Sequence, residues 1–166
     1  MEPTTPSLPD DDVAAIDRLG AIYKELSAEL SKIIIGQQRV VELLSIALFS
    51  RGHALLMGVP GLAKTLLISS VAKTLDLSFN RIQFTPDVLP SDIVGFSIYN
   101  KDSGCFEYKS GVVSNTNLLL GDEINRTSSK TQSALLEAME ERQVTVDGTT
   151  YPLQKPFAVI ATQNNV

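Results

Sequence analysis

The chain has 166 residues, of which 43% are hydrophobic and 20% are charged, and its formal net charge is −5. This length and composition fit one soluble globular domain with a core of its own, and the negative charge argues against DNA or RNA as the main partner. The sequence has a single cysteine, Cys105, which excludes an internal disulfide and fits a reducing compartment. Its apolar runs are too short to span a membrane, and its acidic start is unlike a signal peptide. These features favour a cytoplasmic protein.

The first segment, residues 1–12, is rich in proline and ends in three aspartates, which predicts a disordered tail. Residues 13–166 are predicted to form one domain, which begins with a helix over residues 13–31. Apolar side chains recur in this helix at helical spacing: Ile16, Leu19, Ile22, Leu26 and Leu30. The pattern predicts an amphipathic helix that packs on the main body of the domain.

A turn at Gly36 separates three isoleucines from a second helical pattern over residues 39–50. Because glycine bends the backbone freely, this turn could wrap around the base of a nucleotide or serve only as a linker. The residues alone leave both interpretations open.

The next segment, residues 58–65, has the sequence Gly-Val-Pro-Gly-Leu-Ala-Lys-Thr. It follows a short apolar run, residues 53–57, and opens into a helical pattern over residues 66–75, which is the context of a phosphate-binding loop. In such a loop the backbone N–H groups face the phosphates, Lys64 supplies a positive charge and Thr65 supplies a hydroxyl for Mg²⁺. The alternative is an ordinary strand–turn–helix junction with a surface lysine.

A strand, a short helix and a hairpin are predicted after this loop. Residues 79–85 form the strand, and Ser91 is the predicted cap of a short helix that ends near Gly95. Residues 96–99 and 105–108 flank a polar turn that contains glycine, which predicts a hairpin projecting from the domain.

A run of three leucines, residues 118–120, predicts a strand that is buried on both faces, as in a parallel sheet. Asp122 and Glu123 follow at its carboxyl end, where α/β sheets bind ligands. Asp122 can hold Mg²⁺, and Glu123 can orient and activate a water molecule. A solvated strand end is the simpler interpretation, but the position downstream of the glycine-rich loop favours nucleotide binding.

The last predicted elements are a helix over residues 128–142, a hairpin that turns at Asp147 and Gly148, and a strand over residues 157–162. This strand is also apolar enough to be buried on both faces. Asn164 follows its carboxyl end, where the amide could reach a terminal phosphate or the attacking water. An asparagine in this place is more often a turn residue, and both interpretations stay open.

Taken together, these motifs resemble the MoxR family of AAA+ ATPases, from about residue 32 to residue 166. The resemblance rests on the glycine-rich loop, on the Asp-Glu-Ile-Asn-Arg segment at residues 122–126, and on stretches without catalytic groups. Those stretches are residues 34–37, 81–93, 130–139, 141–148 and 161–164. Ala63, which stands where a phosphate-binding loop usually has glycine, is normal in this family.

The resemblance implies a P-loop NTPase fold, an α/β AAA+ core in αβα layers with a mostly parallel sheet and two inserted β-hairpins, incomplete at its C-terminal end. It also implies ATP and Mg²⁺ as cofactors. The residues that match the nucleotide-binding segments are Ile35, Gly36, Gly58, Val59, Pro60, Gly61, Leu62, Ala63, Lys64, Thr65, Leu66 and Asp122.

Particular roles follow from the same resemblance. Thr65 and Asp122 match the magnesium ligands, and Lys64 matches the lysine that contacts the β- and γ-phosphates. Glu123 matches the residue that activates water, and Asn164 matches the sensor asparagine that contacts the γ-phosphate. The implied catalytic residues are therefore Lys64, Glu123 and Asn164.

Members of this family assemble into rings, usually hexamers, and act with von Willebrand factor A-domain proteins. They serve as chaperone-like assembly or remodelling factors for protein clients. The resemblance therefore implies ATP binding and Mg²⁺-dependent ATP hydrolysis that drives the remodelling of a client.

Three departures from the family pattern are Met57, the segment 110–113, and Gly121, which is expected to soften the strand beside Asp122. The family pattern also continues with a fifth core strand, an arginine finger and a helical lid, none of which lies within these 166 residues. Because an arginine finger contributes about 10³–10⁵ in rate, these residues alone are expected to bind ATP weakly and hydrolyse it slowly. The first strand is expected to form an apolar open edge that promotes aggregation.

Three other functions remain as alternatives. One is a nucleotide-gated binding module with little or no hydrolysis. A P-loop kinase is a second, although Glu123 with Asn164 suits attack by water better than transfer to an acceptor. A DNA-directed AAA+ activity is a third, which the acidic composition argues against.

Overall fold

The structure, a computed structural model, describes residues 10–32, 36–58 and 61–164. The helices in these ranges are α1 (Asp10–Ser31), α2 (Gln38–Phe49), α3 (Gly61–Thr74), α4 (Pro90–Val94) and α5 (Ser129–Glu141). The strands are β1 (Ala54–Met57), β2 (Phe79–Gln83), β3 (Gly95–Asn100), β4 (Cys105–Ser110), β5 (Leu118–Asp122), β6 (Gln143–Val146), β7 (Thr149–Pro152) and β8 (Ala158–Gln163). None of these helices combines the length and the apolar character that crossing a bilayer requires.

Four parallel strands form the central sheet, in the order β1-β8-β5-β2. All five residues of β5 are buried, which confirms the prediction made from its run of leucines. Because the strands all run in the same direction, their carboxyl ends meet at one edge of the sheet. This edge, called the carboxyl edge below, carries Gln83 of β2, Asp122 of β5 and Gln163 of β8.

Apolar side chains pack on both faces of this sheet. Leu118 and Leu120 pack with α1, α2 and α3 on one face, and Leu119 packs with α4, α5 and β6 on the other. Successive side chains of a strand point to opposite faces, so the three leucines need cover on both sides. The predicted α/β fold in αβα layers is thereby confirmed.

Helix α1 packs on the domain only through its C-terminal half. Leu26 and Leu30 are buried in the core beside α2 and α3. The apolar residues that stay exposed in the N-terminal half are Val13, Ile16, Leu19 and Ile22. The predicted packing of this helix on the main body is therefore made by the C-terminal part of its apolar face. The helix also begins at Asp10, inside the predicted tail, while residues 1–9 lie outside the described residues, so their disorder stays a prediction.

Two helix starts differ from the expectations. Helix α3 begins at Gly61, earlier than predicted and inside the glycine-rich loop. Helix α4 begins at Pro90, and its N-cap is Leu89, so the expected capping role of Ser91 is wrong. Proline suits the first helical position because it has no N–H group to leave unpaired, and the Asp92 carboxylate accepts the Leu89 N–H at 2.8 Å.

Two antiparallel hairpins, β3–β4 and β6–β7, are added to this core, as the sequence predicts. In the β6–β7 turn Asp147 and Gly148 both have positive φ, 48° and 77°, which is the backbone that an Asp-Gly pair favours. The rings of Tyr108 in β4 and Tyr151 in β7 stack with their centroids 4.0 Å apart and an angle of 11° between their planes. This stack joins the two hairpins.

Strand β1 forms one edge of the central sheet and pairs with a single neighbour, β8, in the part of the chain that the structure describes. Leu55 and Met57 are exposed on this strand. The prediction of an apolar open edge is confirmed for these residues, and the unpaired backbone groups there can accept a further strand.

Gly121 in β5 leaves room for the ring of Phe84, which is fully buried. A Cβ atom at position 121 would lie 2.8 Å from Cε2 of Phe84, much closer than two carbon atoms can approach. The absence of a side chain at this position is therefore a packing requirement, which the sequence alone does not reveal.

Replacing Gly121 with alanine is expected to lower the free energy of unfolding by about 1–3 kcal/mol, because the buried ring of Phe84 has to move. Urea denaturation measures this loss. Gly20→Ala is the matched control, since a Cβ atom in that part of α1 meets nothing within 4 Å, and alanine favours a helix. Equal losses in the two variants would contradict the packing role of Gly121.

His53, directly before β1, connects β8 to α5. Its Nδ1 accepts the Val159 N–H at 2.9 Å, so its Nε2 carries the proton and donates to the Met139 carbonyl at 3.3 Å. Burial lowers the pKa of His53 below its usual 6.5, and the nearby Arg142 lowers it further, while the hydrogen bond to Met139 acts in the opposite direction. These contacts indicate a structural role for His53.

The lowered pKa of His53 makes the stability depend on pH. The unfolded chain binds this proton more tightly than the folded chain, so the stability should be full above the usual pKa of 6.5 and should fall as the pH drops below it. Urea midpoints measured on both sides of that pH test this expectation. His53→Gln, which does not titrate, should show a smaller fall, and equal falls would exclude His53 as the cause.

Candidate active site

The glycine-rich loop leaves the sheet at the carboxyl end of β1. Gly58 has a φ of 72°, which glycine adopts at little cost, and its N–H donates to the Gln163 carbonyl at 3.4 Å. The loop therefore starts beside the end of β8. Helix α3 begins at Gly61, and Lys64 in its first turn is buried, with 2% of its surface exposed. A lysine in the first turn of a helix creates a positive environment that favours an anion.

The structure describes most of the residues predicted to bind the nucleotide. Val59, Pro60 and Ile35 lie outside the described residues. Gly61, Leu62 and Ala63 lie in the first turn of α3, Thr65 is partly buried and Leu66 is exposed. Their roles toward a nucleotide stay predictions.

Gly36 lies in the segment that connects α1 and α2. It has a φ of 88° and lines a cleft of about 750 Å³ between α1 and α2, together with Tyr23, Gln37 and Val41. Of the predicted site residues in the described ranges, Gly36 alone lines this cleft. The role of Gly36 toward a nucleotide stays a prediction.

Asp122, the last residue of β5, is buried, and both of its carboxylate oxygens accept hydrogen bonds. Oδ1 accepts the Thr162 hydroxyl at 3.1 Å, and Oδ2 accepts Arg81 Nε at 2.6 Å. Thr162 lies in β8 and Arg81 in β2, the strands on either side of β5. A buried carboxylate is costly unless such partners compensate its charge.

Glu123 follows β5 with a φ of 55°, in the left-handed region that residues other than glycine seldom adopt. Its N–H donates to the Thr162 hydroxyl at 3.0 Å, so that one hydroxyl contacts both acidic residues. Its Oε1 accepts Asn164 Nδ2 at 2.6 Å. Its Oε2 accepts Arg126 Nη1 at 2.6 Å and Gln83 Nε2 at 3.2 Å.

A small cleft of about 300 Å³ opens at this point, lined by Glu123, Asn125, Arg126 and Asn164. A carboxylate and an amide in contact beside such a cleft can orient a water molecule and accept its proton. The structure thus brings together Asp122, Glu123 and Asn164 from two neighbouring strands, β5 and β8.

Several polar residues of this cluster are missing from the candidates that the sequence supplies: Arg81, Gln83, Arg126 and Thr162. The sequence carries a weak signal for some of these residues. Arg81 and Gln83 are two residues apart at the end of β2, and Thr162 and Asn164 are two residues apart near the end of β8. Such spacing places both side chains of a pair on one face of the strand. The spacing does not show which strand lies beside this one in the sheet.

The donor set suits Mg²⁺ better than a metal held by protein side chains alone. Within the described ranges, no three His, Cys, Asp or Glu side chains converge as metal ligands. Mg²⁺ is usually held by one or two carboxylates together with waters and substrate phosphates. Asp122 can supply the carboxylate, and Thr65 can supply a hydroxyl. The residues present therefore fit a magnesium ion that arrives with a nucleotide.

Comparison with known proteins agrees with this geometry. The family model described as "ATPase family associated with various cellular activities (AAA)" matches residues 53–166, more than half of the chain. YeaC of Bacillus subtilis is 53% identical over 137 residues, which cover 82% of this chain and 42% of YeaC. Chaperone MoxR1 of Mycobacterium tuberculosis is 49% identical over 138 residues, which cover 83% of this chain and 36% of MoxR1.

A solved structure shows the same fold. The crystal structure of a candidate ATPase from Cytophaga hutchinsonii matches with a TM-score of 0.79 and 50% identity, and the match covers 93% of this chain and 48% of that protein. The chain therefore spans less than half the length of these relatives. From its motifs, its sheet and these matches, the chain belongs to the MoxR family of AAA+ ATPases.

Proposed function

We propose that this chain binds ATP with Mg²⁺ and hydrolyses it, and that the protein uses this reaction to remodel or assemble a protein client in a chaperone-like way. The observation that carries the proposal is the contact between Glu123 and Asn164 beside the buried Asp122. This contact lies at the carboxyl edge, where the glycine-rich loop also leaves the sheet. A loop for phosphates, a carboxylate for a metal and a carboxylate–amide pair for water form a set suited to hydrolysis.

Each residue then has a defined task. Lys64 and the backbone of residues 58–65 bind the phosphates, while Asp122 and Thr65 hold the metal ion. Mg²⁺, when bound, neutralises charge on the phosphate oxygens. Glu123 orients the attacking water and accepts its proton, and Asn164 contacts both the γ-phosphate and the Glu123 carboxylate.

The proposal is tested by two measurements on the same protein: binding of a fluorescent ATP analogue in the presence of Mg²⁺, and release of phosphate from ATP. Lys64→Met should abolish binding, because the positive charge at the phosphates is lost. Lys73→Met is the matched control, since Lys73 is exposed in the last turn of the same helix, α3. Binding without turnover would support the nucleotide-gated binding module instead, and no binding would contradict the proposal.

We further propose that the whole protein assembles into a ring, a hexamer in this family, and acts with a von Willebrand factor A-domain protein. Membership of the MoxR family supports this proposal, and the relative from Mycobacterium tuberculosis is named Chaperone MoxR1. Light scattering of the protein with and without ATP measures the mass of the assembly, and a monomer under both conditions would contradict the ring.

A further inference from the structure

The carboxyl edge already contains a positive charge at the residue proposed to hold magnesium. Arg81 Nε donates to Asp122 Oδ2 at 2.6 Å, which is the one ion pair that Asp122 makes in the described residues. The two side chains differ in exposure to solvent: 47% of the Arg81 side chain is exposed, whereas only 6% of the Asp122 side chain is exposed. Arg81 can turn into solvent, whereas Asp122 is fixed in a central strand and bonded to Thr162.

This ion pair conflicts with magnesium at the same carboxylate. Oδ1 of Asp122 is taken by the Thr162 hydroxyl and Oδ2 by the guanidinium. Two cations at one carboxylate repel each other, and the repulsion is strong where water is largely excluded. Loss of Arg81 without replacement would leave a buried, unpaired carboxylate, which is strongly unfavourable. An exchange of one cation for another avoids that cost.

We propose that Arg81 is the resident counter-ion of Asp122 and that Mg²⁺ displaces it when a nucleotide binds, so that Arg81 sets the magnesium concentration that the site requires. The inference rests on the proposed function. It makes Arg81 a positioning residue that competes with the metal ion and does not contact the reacting atoms.

Hydrogen bonds also connect Arg81, through Gln83, to Glu123, the residue proposed to activate water. Arg81 Nη2 donates to Gln83 Oε1 at 3.4 Å, and Gln83 Nε2 donates to Glu123 Oε2 at 3.2 Å. When Arg81 leaves Asp122, Gln83 loses one of the partners that orient its amide. Binding of the metal ion at Asp122 is thereby coupled to the hydrogen bonds of the Glu123 carboxylate.

The test compares the magnesium dependence of ATP-analogue binding in the wild type and in Arg81→Gln, which removes the charge. Without the competing guanidinium, the Mg²⁺ concentration at half-maximal binding should fall by about fivefold or more. Lys109→Gln is the matched control, because it removes one positive charge from an ion pair with Glu107 in the β3–β4 hairpin and should not change that concentration. A purely structural role of Arg81 predicts an unchanged or higher Mg²⁺ requirement, and that result would overturn the inference.

A measurement on the wild type keeps the inference testable if Arg81→Gln does not fold. The Nε–H of Arg81, identified in NMR spectra by its loss in Arg81→Lys, should exchange slowly with water while it is bonded to Asp122. The signal should persist with nucleotide and EDTA, and rapid exchange should begin when Mg²⁺ is added with the nucleotide. A signal that persists with Mg²⁺ overturns the inference while the proposed function stands. A wild type that binds no nucleotide overturns both.

Discussion

Replacing Glu123 with glutamine is expected to reduce ATP turnover by about 10²–10⁴-fold and to leave ATP binding nearly unchanged. Glutamine has the length of glutamate and keeps an oxygen that can accept the Asn164 amide, a contact of 2.6 Å in the native protein. It cannot take a proton from water, because its amide is not basic. Phosphate release measures the turnover, and a fluorescent ATP analogue with Mg²⁺ measures the binding.

The matched control for this change is Glu137→Gln, which removes the same charge from an exposed position on α5. Its turnover should equal that of the wild type. Unchanged turnover in Glu123→Gln would exclude Glu123 as the base. A loss of ATP binding in that variant would show that Glu123 maintains the site and does not act on the water.

Replacing Thr162 with valine is expected to lower the free energy of unfolding by about 1–3 kcal/mol for each polar group that loses its partner. The Thr162 hydroxyl donates to Asp122 Oδ1 at 3.1 Å and accepts the Glu123 N–H at 3.0 Å. Valine has the same shape but can neither donate nor accept, so both groups lose a hydrogen bond at once. Turnover should fall as well, because the backbone of Glu123 loses the contact that holds its left-handed turn.

Urea denaturation and phosphate release measure the two effects of this change. Thr150→Val is the matched control, since its hydroxyl forms a hydrogen bond with Thr145 on an exposed hairpin, and the expected change is within about 0.5 kcal/mol. Thr162→Ser keeps the hydroxyl and should retain most of the turnover. If serine loses as much as valine, the methyl group and not the hydroxyl determines the function of this position.

The elements of the fold could be predicted where each has a local pattern of its own. The leucines of β5 indicate a strand buried on both faces, Asp147 with Gly148 indicates a hairpin, and Ser128 caps α5 by accepting the Thr131 N–H. Each of these signals is carried by residues that are close together in the sequence. The positions of Asp122, Glu123 and Asn164 follow in the same way, since each directly follows or ends an apolar strand.

Contacts between strands could not be predicted in this way. Arg81 meets Asp122, and Thr162 meets Glu123, only because β5 lies between β2 and β8 in a particular register. Strand order and register are properties of the whole sheet. Periodicity likewise shows that α1 has an apolar face, but it does not show that only the C-terminal half is covered.

The stacked rings of Tyr108 and Tyr151 have a mechanical consequence. Since the rings lie face to face at 4.0 Å, the β3–β4 hairpin cannot tilt without displacing the β6–β7 hairpin or breaking the stack. Strand β7 leads into Leu153, whose N–H donates to the Arg142 carbonyl at 3.0 Å. The stack and this hydrogen bond together link both hairpins to the C-terminal end of α5.

Arg142, which directly follows α5, also contacts the segments that lead into the sheet. The Arg142 guanidinium donates to the carbonyls of Phe157, directly before β8, and of Arg51, shortly before β1. The opposite ends of these two strands carry Asn164 and Gly58. A continuous series of contacts thus connects the two hairpins, through Arg142 and two strands of the sheet, to the residues proposed to contact the phosphates.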